Sequence, residues 1–253
     1  MANKSSGGGD RRGSGSRQAT VKLRTARGRT PSSQRWLQRQ LNDPYVAESK
    51  RLGYRSRAAF KLIEIDDRFK LLKKGQRVVD LGCAPGGWTQ IAVQRVGAPQ
   101  RGQVVGLDIL PLDPIAGAEL LLADFTEASA PDLLKATLGG PVDVVLSDMA
   151  ASSTGHKKTD HIRIVMLAEL ALDFAFEVLA PDGVFVAKVF LGGSERDLLN
   201  PMRQAFRTVR HFKPPSSRSE SAETYVIATG FRGRPKGHGD PDAAPDGEAS
   251  EEG

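Results

Sequence analysis

The chain of 253 residues has a formal net charge of +6, a sequence pI of about 9.5 and a hydrophobic fraction of 39%. Its one cysteine, Cys83, excludes an internal disulfide, and no apolar run approaches the roughly 18 residues of a membrane-spanning helix. The basic charge indicates a polyanionic partner. We expect a cytoplasmic protein with one sizeable core and no membrane anchor.

The first 30 residues are mostly Gly, Ser, Lys and Arg, with eight basic residues against one acidic residue. They predict a disordered basic tail over residues 1–31 that binds RNA phosphates, with a solubilising tail as the alternative. The next stretch places Trp36, Tyr45 and Tyr54 among arginines, a combination that suits stacking on unpaired bases. A folded domain is predicted over residues 32–232 and a disordered acidic tail over 233–253.

A helix is predicted to begin after Tyr54, with Ser56 as its N-cap. The face expected to pack on a sheet has residues at helical spacing, namely Ala59, Leu62, Ile63 and Asp66. Lys61 lies beside this face. A solvated surface lysine is the alternative to a functional one.

The first strand is predicted over residues 77–82 and a helix over 88–97, joined by the loop Gly82-Cys83-Ala84-Pro85-Gly86-Gly87. Strand, glycine-rich loop and helix form the first unit of a nucleotide-binding α/β sheet. The loop lacks both the middle glycine of G-x-G-x-x-G and the Gly-Lys-Ser/Thr of a P-loop. Its proline and the following Trp88 favour another adenosine ligand, S-adenosylmethionine.

Two further strands are predicted to end in an aspartate: residues 103–109 carry Asp108, and residues 119–124 end at Asp124. A carboxylate at such a strand tip accepts hydrogen bonds from the ribose hydroxyls of an adenosine ligand, which is the role expected for Asp108. Asp124 is a candidate for the adenine amino group. A helix cap is the equal alternative for Asp124.

Lys188 lies in a nearly apolar run, residues 183–190, which predicts the fifth strand. A buried ammonium group costs several kcal/mol unless a carboxylate pairs with it. The fourth predicted strand, residues 142–148, ends in Asp148, and a helix over 161–180 connects the two strands. The alternative is that Lys188 points into water.

A helix over 194–206 and strands over 208–213 and 221–230 complete the predicted fold, an α/β, Rossmann-like, seven-stranded sheet. The ligand site is expected between the first and fourth strands, where the strand order reverses. An antiparallel last strand brings Glu223 to the same edge. The side chains then expected to converge are those of Lys61, Asp148, Lys188 and Glu223.

These four residues, in this order, resemble the Lys-Asp-Lys-Glu tetrad of the FtsJ family of RNA ribose 2′-O-methyltransferases. The similarity covers about residues 32–232 and includes several motifs: Asp80-Leu81-Gly82-Cys83-Ala84-Pro85-Gly86-Gly87-Trp88, Tyr54-Arg55-Ser56-Arg57-Ala58, Leu107-Asp108, Ser147-Asp148-Met149-Ala150 and Ser221-Ala222-Glu223-Thr224-Tyr225. The resemblance implies the class I methyltransferase fold and S-adenosylmethionine as cofactor. Within the family, the chain is most similar to members that act on large-subunit ribosomal RNA.

The resemblance also implies roles for single residues. Gly86 and Trp88 belong to the loop that holds the cofactor, Asp108 binds its ribose, and Asp124 binds its adenine. Asp148 lies beside its methionine portion, and Lys188 is the general base that takes the proton of the ribose hydroxyl, with Lys61, Asp148 and Glu223 around it. The implied substrate is a uridine in the aminoacyl-tRNA-binding loop of 23S rRNA in the large ribosomal subunit. No metal is implied, and we expect a monomer.

Three other functions fit parts of the sequence. The same chemistry on transfer RNA is the nearest alternative, because the motifs around the site do not separate the two RNA substrates. A non-catalytic RNA-binding ribosome assembly factor is disfavoured, because a binder needs no convergent lysines. A nicotinamide oxidoreductase is disfavoured by the missing G-x-G-x-x-G.

Overall fold

The computed structural model describes residues 30–151, 154–190, 195–236 and 238. The elements in chain order are α1 (Pro31–Leu41), α2 (Pro44–Arg51), α3 (Ala58–Phe69), β1 (Arg77–Leu81), α4 (Gly87–Val96), β2 (Gln103–Asp108), β3 (Glu119–Leu122), α5 (Ala130–Leu138), β4 (Val142–Ser147), α6 (Lys157–Val178), β5 (Leu179–Phe190), α7 (Glu195–Ala205), β6 (Phe206–Phe212) and β7 (Glu223–Phe231).

Contacts divide the chain into one unit that ends at Val46 and a second that begins at Ala47. The first unit contains α1, whose N-terminus is capped by Thr30: its Oγ1 accepts a hydrogen bond from the Ser33 amide at 3.2 Å. The predicted basic tail lies almost wholly outside the described residues, and so does most of the predicted acidic tail. The boundaries at 31 and 232 stay predictions.

The second unit contains one seven-stranded sheet in the order β3-β2-β1-β4-β5-β7-β6. β1 to β5 are parallel, and β7 pairs antiparallel with β5 on one side and β6 on the other. The predicted α/β sheet with an antiparallel last strand is therefore confirmed. β1 and β4 are neighbours, so the strand order reverses where the ligand site was expected.

Each face of the sheet is covered by its own set of helices, because side chains alternate between the faces along each strand. Helices α3 and α4 pack on one face, with β-strand side chains such as Val144, Val186 and Tyr225. Helices α5, α6 and α7 pack on the other, with side chains such as Val145, Phe185 and Val226. Strands covered on both sides are nearly apolar throughout, which explains the continuous hydrophobic runs in the sequence.

Several predicted details are wrong. Ser56 does not cap α3: Arg57 occupies the N-cap position without a side-chain bond, and Ser56 Oγ is buried with no hydrogen-bond partner among the described residues. The buried face of α3 includes Ile65, whereas Ile63 is only partly buried. Helix α6 begins at Lys157 and not at 161.

No helix among the described ranges is long and apolar enough to cross a membrane. The longest one, α6, has 22 residues and packs on the sheet through one side only. Its outer side carries Ile162, Met166 and Leu170, each more than a third exposed.

Leu172→Ala in α6 is expected to lower the free energy of unfolding by about 2–5 kcal/mol, because this fully buried side chain would leave a cavity. Leu170→Ala, two residues away on the exposed side, is the matched control, expected to cost less than about 1 kcal/mol. Urea unfolding of both variants measures the difference. Equal losses would contradict the described packing of α6.

Candidate active site

The side chains of Asp148, Lys188 and Tyr225 meet on the α3 side of the sheet, because their positions along the chain direct all three to the same face. Asp148 follows Val144 and Leu146 of β4 by even steps, and Lys188 follows Val186 of β5. Tyr225 of β7 lies directly opposite Lys188 in the antiparallel pairing. The sheet therefore brings these groups together at the carboxyl ends of β4 and β5.

Lys188 is buried and paired, not directed into water. Its Nζ donates to the backbone oxygen of Asp148 at 2.6 Å and lies 3.2 Å from Asp148 Oδ1. The Lys188 side chain is only 7% exposed, so this pairing compensates the cost of removing an ammonium group from water. Tyr225 adds a hydroxyl that donates to Asp148 Oδ1 at 2.8 Å.

Burial alone would raise the pKa of Asp148, but the positive charges of Lys188 and Lys61 and hydrogen bonds from Tyr225 and Lys188 outweigh it and lower the pKa. Burial raises the pKa of Tyr225 well above its ordinary value, and the negative charges of Asp148 and Glu223 act in the same direction. Asp148 is therefore an anion at neutral pH, and Tyr225 keeps the proton that it donates.

The second ion pair joins α3 to the start of β7. Lys61 Nζ lies 2.7 Å from Glu223 Oε1 and 2.8 Å from Oε2. Both side chains are about 15% exposed or less. Lys61 Nζ also lies 5.8 Å from the centroid of the Tyr225 ring, within the range of a cation–π contact. The structure thus brings all four predicted residues together as two ion pairs, with Tyr225 between them.

A cavity of about 300 Å³ opens beside Asp148. Its lining comes from the ends of β1, β2, β3 and β4 and from α6: Gly82, Ala84, Leu107, Asp108, Ile109, Leu110, Ala123, Asp124, Phe125, Thr126, Asp148, Met149, Ala150 and Leu167. Pockets of this size and larger hold small-molecule ligands. The predicted aspartates 108, 124 and 148 all contribute to its wall.

Asp108 and Asp124 are both held in place by local hydrogen bonds. Asp108 accepts from the Ala84 amide at 2.8 Å and from the Leu110 amide at 2.8 Å, which ties the glycine loop to the end of β2. Asp124 accepts from the amide and the hydroxyl of Thr126 at 2.9 and 2.7 Å, and these bonds lower its pKa. Asp124 therefore holds a local turn and does not cap α5, whose N-cap is Ser129, and it also lines the cavity.

The glycine loop contributes unevenly to this cavity. Gly82 has φ +75°, and a Cβ there would lie 2.7 Å from Met149 Cγ and 2.8 Å from Met149 Cα, so only glycine allows this close approach.

Gly86 and Trp88 are not among the residues that line the cavity. Trp88 is buried, donates from Nε1 to the Ala58 carbonyl at 2.9 Å and contacts the Tyr225 ring. Cofactor contacts by Gly86 and Trp88 stay predictions.

Among the residues that the structure describes, no group of three or more His, Cys, Asp or Glu side chains is arranged to hold a metal ion. Two carboxylates of the site are instead paired with lysines, Asp148 with Lys188 and Glu223 with Lys61. The positive charges of the site come from Lys61 on α3 and Lys188 on β5.

The family model that matches the chain is described as FtsJ-like methyltransferase and covers residues 54–231. This range runs from just before α3 to the end of β7 and includes both ion pairs. The chain belongs to the FtsJ-like methyltransferase family.

Curated relatives of this FtsJ-like protein have one shared description. A protein of Gluconobacter oxydans, 66% identical over 216 residues, and one of Paramagnetospirillum magneticum, 65% identical over 222 residues, are both named ribosomal RNA large subunit methyltransferase E. The alignments cover 85% and 87% of the chain and 79% and 91% of the relatives. A crystal structure of a Plasmodium falciparum protein, described as a ribosomal RNA methyltransferase, superimposes with a TM-score of 0.63. It is 30% identical and covers 72% of this chain and all of that one.

Some residues of the FtsJ-like site were not singled out from the sequence. The sequence does offer a signal for Tyr225. Residues two apart in a strand point to the same face, and Tyr225 comes two residues after Glu223. Ser217, whose hydroxyl donates to Glu223 Oε1 at 2.9 Å, carries no local signal, because it lies in an irregular loop. Met149 and Leu167 line the cavity only through long-range packing.

Asp80 at the end of β1 is a buried acid next to this site. Its Oδ2 accepts from Thr89 Oγ1 at 2.6 Å, and its Oδ1 has no hydrogen-bond partner among the described residues. Burial raises its pKa to about 7, against the Thr89 hydrogen bond and helped by the charges of Asp148 and Asp108. The folded protein therefore disfavours the ionised form, which the unfolded chain adopts near its ordinary pKa.

Asp80→Asn is expected to remove a pH dependence of stability. In the wild type, the penalty for ionised Asp80 grows as the pH rises from about 4 to about 7 and is constant above that. Over this interval, the free energy of unfolding of the variant should therefore rise relative to that of the wild type. The difference is at most about 4 kcal/mol, at 1.36 kcal/mol per pKa unit. Urea unfolding at several pH values measures it, with exposed Asp132→Asn as control. Parallel curves for Asp80→Asn and wild type would contradict the raised pKa.

Proposed function

We propose that this FtsJ-like protein transfers a methyl group from S-adenosylmethionine to the ribose 2′-hydroxyl of a uridine in the aminoacyl-tRNA-binding loop of 23S rRNA in the large ribosomal subunit. The observation that carries the proposal is the pairing of buried Lys188 with Asp148 and of partly buried Lys61 with Glu223, with Asp148 also lining a ligand-sized cavity. The relatives named as methyltransferases of large-subunit ribosomal RNA support the substrate.

The residues around the cavity fit the cofactor. When bound, S-adenosylmethionine would supply its sulfonium methyl group to the ribose oxygen in an in-line displacement, in which the S–CH3 bond breaks and the neutral thioether leaves. Asp108 offers carboxylate oxygens to ribose hydroxyls, and Asp124 offers one to the adenine amino group. The absence of a side chain at Gly82 lets Met149 pack closely against the end of β1 in the cavity wall. Asp148, which lines the same cavity, would lie beside the methionine portion.

Lys188 is proposed as the general base. In this role the Lys188 ammonium group would first lose one proton to water, and the neutral amine then has two N–H bonds and one lone pair. The two contacts of Lys188 Nζ with Asp148 use two N–H directions, so the lone pair is left for the proton of the ribose hydroxyl. Once Lys188 has taken this proton, the negative charge of Asp148 stabilises the ammonium group that forms. Tyr225 fixes Asp148 while this happens.

Glu223 is proposed to position the ammonium group of Lys61, the second positive charge of the site. Glu223 holds Lys61 Nζ through both carboxylate oxygens, beside the ring of Tyr225. There the ammonium group stabilises the ribose oxygen as it loses its proton. Holding the hydroxyl in line supplies a further part of the acceleration.

The RNA partner fits the formal net charge of +6 and the eight basic residues among the first 30. These residues would bind phosphates away from the target nucleotide. A monomeric state and a cytoplasmic location complete the proposal and rest on the sequence.

The proposal is tested with labelled S-adenosylmethionine and three substrates in parallel: large ribosomal subunits that lack the modification, naked 23S rRNA and transfer RNA. Label is expected in the 2′-O-methylated uridine of the subunit RNA. Label in transfer RNA alone would keep the chemistry and overturn the substrate. Tight RNA binding without label in any fraction would favour an assembly factor.

Lys188→Ala and Lys188→Arg separate a general base from a positive charge. Arginine keeps the charge but does not lose its proton near neutral pH. Both variants are therefore expected to lower kcat by about 10²–10⁴-fold, the usual contribution of a general base. Steady-state methyl transfer at saturating substrates measures kcat, and equilibrium binding of S-adenosylmethionine shows that the site is intact. A Lys188→Arg enzyme within tenfold of wild type would contradict the base.

A further inference from the structure

The segment between β6 and β7, residues 213–222 and called here the β6–β7 loop, is held in a fixed shape. Inside it, the Ser217 amide donates to the Pro214 carbonyl at 2.8 Å. Lys213 Nζ donates to the carbonyls of Ser219 and Ser221 at 3.1 and 2.6 Å. Ser216 and Ser217 are 1% and 7% exposed. An irregular loop with buried serine hydroxyls has its side chains directed at specific partners.

One of these partners is the carboxylate of Glu223. Ser217 Oγ donates to Glu223 Oε1 at 2.9 Å, the same oxygen that lies 2.7 Å from Lys61 Nζ. A glutamate carboxylate on its own rotates freely about its last bond. The hydroxyl of Ser217 fixes this rotation and with it the direction in which Lys61 is held.

The other partner is Glu64 of α3. Its Oε2 accepts from both the amide and the hydroxyl of Ser216, at 2.8 and 2.6 Å. Arg57 at the start of the same helix donates to the Ser216 carbonyl. Residues 57, 61 and 64 recur at intervals of four and three, so they lie on one side of α3. The helix that carries Lys61 therefore also anchors the loop that carries Ser217, at points before and after Lys61.

We propose that Glu64 and Ser217 are positioning residues for methyl transfer, acting through the Lys61–Glu223 pair. Glu64 sets the place of the β6–β7 loop, and Ser217 sets the orientation of Glu223. Neither needs to touch the ribose or the cofactor. The inference rests on the proposed function, because it assumes that the Lys61 ammonium group acts on the reacting oxygen.

The first experiment compares Ser217→Ala with Ser219→Ala, a matched control in the same loop whose hydroxyl contacts only exposed Glu220 in the described contacts. Ser217→Ala is expected to lower kcat about tenfold or more, with the dissociation constant for S-adenosylmethionine unchanged, because the lost hydrogen bond is outside the cofactor cavity. Ser219→Ala should equal the wild type. A Ser217→Ala enzyme with wild-type kcat would overturn the proposal for Ser217.

Glu64 is tested by rescue. Glu64→Ala leaves the amide and hydroxyl of Ser216 without their acceptor and is expected to lower kcat at least as much as Ser217→Ala. Glu64→Gln keeps a carbonyl oxygen for both donors and is expected to restore most of kcat. If Glu64→Gln and Glu64→Ala lose activity equally, the acceptor on Glu64 does not position the loop.

A double-mutant cycle decides whether these residues act through Lys61. Ser217→Ala should cost activity in the wild type and nothing further in a Lys61→Ala background. An equal fold-loss in both backgrounds would overturn the proposal and indicate a general effect on folding. If Lys61→Ala and Lys188→Ala both kept the wild-type rate, the proposed function of the site would fail first, and this inference with it.

Discussion

The structure around the site depends on one constraint: an ammonium group within an apolar strand has to be paired. Lys188 lies on the interior strand β5, where neighbouring side chains are fully buried. Its charge is tolerable because Asp148, the residue after β4, lies beside it. This pairing requires β4 and β5 to be parallel neighbours in a register that puts both residues on one face. The parallel pairing of β4 and β5 thus places both members of this ion pair on the α3 side of the sheet.

The antiparallel strand β7 extends this arrangement to α3. Its first residue, Glu223, pairs with Lys61, and Tyr225, two residues later, reaches Asp148 with its hydroxyl. A parallel strand in this place would begin at the other end of the strands, away from Asp148 and Lys188. The reversed direction therefore lets one short strand supply a carboxylate and a phenol to the same corner. The tyrosine ring also separates the two ion pairs while it contacts Lys61 and Trp88.

Much of this could be predicted from the sequence because it depends on local patterns. Apolar runs that end in Asp80, Asp108 and Asp148 predict parallel strands. A lysine within such a run indicates a carboxylate partner. What could not be predicted depends on packing between distant segments. Trp88 follows the glycine loop but is buried against α3 and β7, and Ser217 is placed by Glu64, far away in the chain. The start of α6 was wrong by four residues because polar residues near a helix end give little periodicity.

The position of β7 between β5 and β6 has a consequence for the synthesis of the protein. Lys61 and its partner Glu223 are 162 residues apart in sequence, and the strand that carries Glu223 is inserted inside the sheet, not added at its edge. A nascent chain that has emerged only as far as β6 has an open edge on β5, and Asp148 and Lys61 both lack a partner from β7. Such a chain cannot assemble the site. The order in which the ribosome makes the segments thus delays any methyl transfer until nearly the whole folded unit has left the exit tunnel.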